Sequence, residues 1–183
     1  MAFVIALVLC GLLVAYHGSR RDVDADSLLD GAAGFSAEST QWQYEREIPT
    51  RLMDGDLWPS DKAGRAWGNA SGRLAQRVYR YSSPGLARLE FARSDPAVVY
   101  CDPGECDGTR SVALRAPAPS DAYKAVCIKG DDYCTNYVYV GRFGQYIVEV
   151  QYNAGLSGPV LTDEGFSVVA AHFEDVVAFK IRS

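Results

Sequence analysis

Histidine is nearly missing from this chain of 183 residues, which has only His17 and His172. A Ser–His–Asp set needs a base, and His172 is the only candidate outside the apolar N-terminus. A two-histidine metal site within the folded part is excluded by the same count. No P-loop and no G-x-G-x-x-G occurs, so no glycine loop is on offer for a phosphate or a dinucleotide. An excess of basic residues is missing too, since the net charge is −5. Nucleic acid is therefore not an expected partner, because phosphate binding needs a basic face. Arg73, Arg77, Arg80, Arg88 and Arg93 come nearest to one, and scattered solvated charges are the simpler reading of them. No internal repeat and no cofactor motif is visible.

What is present is core material. The chain is 48% hydrophobic, with 11 Tyr, 7 Phe and 3 Trp, which rules out disorder throughout. Residues 2–16 read AFVIALVLCGLLVAY, without a charge. As a helix they would span roughly 22 Å at about 1.5 Å per residue. A bilayer core is about 30 Å thick, so the stretch is a turn or two short. Three readings compete: a transmembrane anchor that begins further upstream, a cleavable signal peptide, and a buried helix. A signal peptide should open on basic residues, and Met1-Ala2-Phe3 has none. Lipidation at Cys10 would want a small residue where Leu9 stands. A buried helix should show a polar stripe, which is lacking here. Arg20 and Arg21 favour a cytoplasmic flank by the positive-inside rule, against the cysteine pattern below. The expected organisation is a membrane anchor at residues 1–17, a juxtamembrane linker at 18–40 and an extracytoplasmic domain at 41–183.

Apart from Cys10, the cysteines are Cys101, Cys106, Cys127 and Cys134. Four of them confined to the outer part suggest two disulfides and an oxidising compartment. Local pairing is favoured. Asp102-Pro103-Gly104-Glu105 is turn chemistry between the first two, and Lys129-Gly130-Asp131-Asp132 resembles a hairpin loop between the others. A four-thiolate zinc site would need closer spacing than C-x4-C and C-x6-C.

An α+β fold is predicted: an antiparallel β-meander packed on one face by a long C-terminal helix and a shorter one, as a two-layer sandwich. Strands are expected over Gln41–Ile48, Gln76–Tyr81, Ala97–Tyr100 and Ser111–Arg115. The clearest are Tyr123–Ile128, Tyr133–Val140 and Gln145–Tyr152, rich in Val, Ile and Tyr. Gly141–Gly144 reads as a turn, and Asp54–Asn69 as a loop whose tryptophans cover the core. Within the linker a short helix is expected near Ser27–Leu29. Ser83-Pro84 caps a helix running to about Arg93, and Thr162 caps one running to Ile181. Phe166, Val169, Ala170, Phe173, Val176, Val177 and Ile181 form the apolar stripe of that last helix. Tyr146, Val148, Val150 and Tyr152 alternate with Gln145, Glu149 and Gln151, as on a sheet with one packed and one wet face.

Candidate sites are few. Asp102, Glu105 and Asp107 between glycines are a calcium candidate, without the EF-hand spacing. Tyr123, Tyr133, Tyr137 and Tyr139 would form an exposed aromatic binding surface if the helix covers the other face of the sheet. Cross-strand core packing is the competing reading. The function expected is therefore non-enzymatic: a membrane-anchored, disulfide-stabilised extracytoplasmic domain that binds a protein or envelope ligand. One alternative is an accessory subunit of a membrane protein complex, packed through a small-residue face at Cys10, Gly11 and Ala15. The other is a carboxylate-dependent envelope hydrolase.

Overall fold

The computed structural model describes residues 22–37, 40–48, 58–96, 108–114, 119–129, 134–155 and 161–183. The expected anchor at 1–17, the strand at 97–100, Cys101, Cys106, Tyr133 and the calcium candidate Asp102, Glu105 and Asp107 lie outside these residues. Among the described residues, no helix is long and apolar enough to cross a membrane.

The chain folds as α1 (Ala25–Leu28), β1 (Phe35–Ala37), β2 (Thr40–Glu47), β3 (Asp61–Asn69), β4 (Gly72–Arg80), α2 (Pro84–Arg93), β5 (Thr109–Ser111), β6 (Ala122–Lys129), β7 (Cys134–Phe143), β8 (Tyr146–Ala154) and α3 (Asp163–Arg182). All eight strands join one antiparallel sheet in the order β1-β2-β3-β4-β8-β7-β6-β5. Two four-stranded meanders, each followed by a helix, thus meet along β4 and β8.

Local chemistry sets the turns and caps. Phe143 pairs with Tyr146 across Gly144-Gln145, and Gly144 takes a φ of +62°. The expected turn at 141–144 is therefore shorter, and Gly141–Phe143 belong to β7. Asn69 Oδ1 accepts from the N–H groups of Ser71 and Gly72 and closes the β3–β4 hairpin. Thr162 and Ser83 cap α3 and α2 with side-chain oxygens, as their sequence positions predict.

Other expectations change, and the strand expected over Ser111–Arg115 is Thr109–Ser111 instead. Asp61–Asn69, read as loop, is a nine-residue strand paired along its whole length with β4. Its Gly64, Gly68 and alanines conceal it from β propensity. Part of the supposed linker belongs to the fold, because Ala25, Leu28 and Leu29 are buried against Val78, Phe143 and Tyr146. β8 is not wet on one side: Ile147, Glu149 and Gln151 are buried like their neighbours. Finally, the helices do not share a face. α3 packs its Phe166, Val169, Ala170, Phe173 and Val177 on the side of Tyr146, Val148, Val150 and Tyr152. Ala87 and Phe91 of α2 pack on the side of Ile147, with Tyr79, Val138 and Val140. Both faces of the central strands are thereby covered.

Candidate functional site

β6 and β7 carry most of the residues singled out by the sequence. Cys127 and Cys134 form a disulfide between these neighbours, with Cα atoms 5.6 Å apart. Arg110 of β5 donates to Cys134 Sγ at 3.4 Å and to both oxygens of Asp163, the first residue of α3. Tyr137 donates to the same Asp163 at 2.8 Å. The bonds from Arg110 hold the Asp163 carboxyl below the usual Asp range. This cluster ties one end of the sheet to the start of α3.

Tyr137 and Tyr139 are not the exposed surface that the sequence suggested. Alternation places both beneath α3, and both are buried. Tyr137 stacks on Phe166 at 4.8 Å, and Tyr139 donates to Glu174. Ser120 donates to the same carboxylate at 2.9 Å. Glu174 is only 2% exposed, and burial raises its pKa even though both hydroxyls favour the charged form. The carboxyl so placed holds the Tyr139 hydroxyl. A Cβ at Gly141 would stand 1.9 Å from the Tyr139 hydroxyl, so the glycine makes room for the ring. Of the four tyrosines, Tyr123 alone is a described and exposed one, at 41%, with its ring stacked on Tyr139 at 6.4 Å.

Tyr123 lines a cleft of about 890 Å³. Three segments line it: Ala92–Pro96 at the end of α2, Ser111–Ala113 at the end of β5, and Tyr123–Val126 of β6. β5 pairs only with Val126–Ile128, and one further bond runs from the Val112 N–H to the Ala125 carbonyl. Before Ala125, the outer edge of β6 thus has no paired strand among the described residues. Lys124 braces the cleft by donating to the carbonyls of Phe91, in the last turn of α2, and Ser94, its C-cap, at 2.7 and 2.5 Å. Its ammonium lies 4.9 Å from the Phe91 ring centroid. Burial lowers the Lys124 pKa, against the pull of nearby Asp95.

A second cleft of about 590 Å³ lies under the β1–β2 hairpin, between Ala32 and Tyr44. His172 faces Asp30 at 3.0 Å and stacks on Phe35, a boundary position on α3. Burial pushes Asp30 upward, but bonds from His172 and the Gly31 N–H outweigh it and lower its pKa. Among the described residues, no group of three or more His, Cys, Asp or Glu is placed to hold a metal. The cleft and the bracing by Lys124 escaped the sequence reading, because only the fold brings residues 93–95 to 123–126.

No protein-family model matches the chain, and no curated protein or solved structure does so significantly.

Proposed function

We propose that the chain is a membrane-anchored extracytoplasmic domain that binds a protein or envelope ligand and does no catalysis. The Cys127–Cys134 disulfide carries this reading, since such a bond persists in oxidising compartments and is rare in the cytosol. The uncharged stretch 2–16 supplies the tether. The ligand's place is the cleft beside Tyr123, along the stretch of β6 that has no paired strand among the described residues and where an added chain could pair with the main chain.

Two measurements test it. Protein taken from native membranes is alkylated before any reduction, then weighed. Cys127 and Cys134 should stay unmodified until a reductant is added; alkylation of both beforehand sinks the compartment. A photo-crosslinking side chain replacing Tyr123 should give an adduct in native membranes, whereas the same group replacing exposed Leu89 should not. Equal labelling from both positions removes the cleft as the binding site.

A further inference from the structure

The two most exposed large apolar side chains among the described residues are Trp58, at 75%, and Phe179, at 72%. They are far apart in sequence yet sit at the same end of the sheet. Trp58 stands two residues before Ser60, whose N–H and hydroxyl both donate to the carbonyl of Arg80 at the end of β4. Phe179 follows Ala178, and Ala178 and Ile181 pack with Phe143 and Tyr146, which flank the β7–β8 turn. The disulfide and the start of α3 occupy the opposite end, where β7 begins.

The chain enters the fold at the Trp58–Phe179 end. Asp22 accepts from Arg80 at 2.5 Å and from Gln145 at 2.6 Å. The Tyr146 hydroxyl accepts from the Val23 N–H and donates to the Val23 carbonyl, and Asp61 accepts from the N–H of Ala25. Only residues 17–21 separate the apolar stretch from this fastening. Covalent geometry caps the reach of five residues at about 18 Å. If residues 2–16 enter a bilayer, this end of the domain cannot stand far from the headgroups.

We infer that this end is a membrane-contact surface, with Trp58 and Phe179 inserted at the headgroup level of a lipid bilayer and the exposed charges of Lys62, Arg182, Asp22 and Asp24 left among the headgroups. The inference rests on the anchor reading proposed above. Tryptophan suits that depth because its ring is apolar and its indole N–H still finds a polar partner. The disulfide end and Cys134 then point away from the bilayer.

The test uses the full chain in phosphatidylcholine vesicles, with and without bromine near the headgroup end of the acyl chains. Trp42 and Trp67 are buried, so Trp58 dominates any quenching, and the difference from Trp58→Phe isolates its signal. With the protein floating alongside the vesicles, brominated lipid should quench Trp58 by about half, and acrylamide should reach it poorly. Phe179→Ser should weaken the lipid quenching. Flotation with Trp58 open to acrylamide overturns the contact surface and leaves the anchor standing. Flotation with Trp58 shielded from acrylamide but unquenched by brominated lipid shows that protein covers this end, which also overturns it. Failure to float at all removes the anchor and the contact surface together.

Discussion

The two faces of this sheet are made by the same strands, yet they bury different things. Under α3 the contacts are aromatic: Phe35 stacks on Trp42, and Trp67, Tyr152 and Phe173 meet these rings or each other edge-on or tilted. Under α2 an apolar patch of Tyr79, Val138, Val140 and Ile147 gives way to polar residues. There Arg77 donates to Glu149 at 2.6 Å and to Gln151 at 3.2 Å, all three buried. A 20-residue helix supplies enough apolar surface to seal one face, whereas a ten-residue helix does not. Buried charge is tolerated on the second face because it is paired.

The largest effect should come from deleting a ring on the aromatic face. Phe173→Ala should cost about 4–5 kcal/mol, while Phe91→Ala at the rim of the other face should cost about 3 or less, both read by urea unfolding. Equal losses would mean that the faces are equally well packed. Next, Arg77→Ala should cost about 3 kcal/mol by leaving the Glu149 carboxylate buried without its guanidinium, and Arg77→Met with Glu149→Leu should recover most of it. If the double variant is no better than the single, the pair holds the second face together in a way that apolar packing cannot replace.

A smaller effect, confined to the α3 face, is read by pH. Folding raises the Glu174 pKa, chiefly through burial. Between its ordinary and raised values the folded state holds the extra proton, so stability falls as pH rises through that window. Asp163, lowered by Arg110, works in the opposite sense, and its contribution is lost as pH falls below the ordinary Asp range. Glu174→Gln should abolish the first slope and leave the second, seen in Tm against pH. Smallest are the caps: Thr162→Ala and Ser83→Ala should each cost about 1 kcal/mol, so that the helices differ in packing and not in their ends.

Much of this was legible in the sequence, for physical reasons. The C-terminal helix announced itself through Thr162 and an apolar stripe, and β6–β8 through dense Val, Ile and Tyr. β3 did not, because its glycines and alanines have little β propensity, and Gly64 stands where the Ile48 carbonyl comes close. A Cβ on Gly68 would lie 2.2 Å from the Glu45 carboxylate, and one on Gly64 would lie 3.0 Å from the Ile48 carbonyl. Alternation also told which tyrosines share a face but not which face α3 would cover. Ile147, the one residue out of pattern in β8, was the visible sign that the second face is packed as well. The cleft at Tyr123 had no local signal, since its walls come from three separate segments.

The seam between the two meanders bears on how the chain folds. Tyr152 reaches back to donate to the carbonyl of Ser71, across 81 positions of sequence. Within each meander the paired strands are neighbours in sequence, but β4 finds β8 only after nearly everything between them has been made. Contacts so distant slow folding, since loop closure must come before any gain from pairing. During synthesis, β4 therefore emerges with the main-chain groups of one edge unpaired until β8, which begins at Tyr146, has been made. That nascent edge is where a truncated or stalled chain would aggregate.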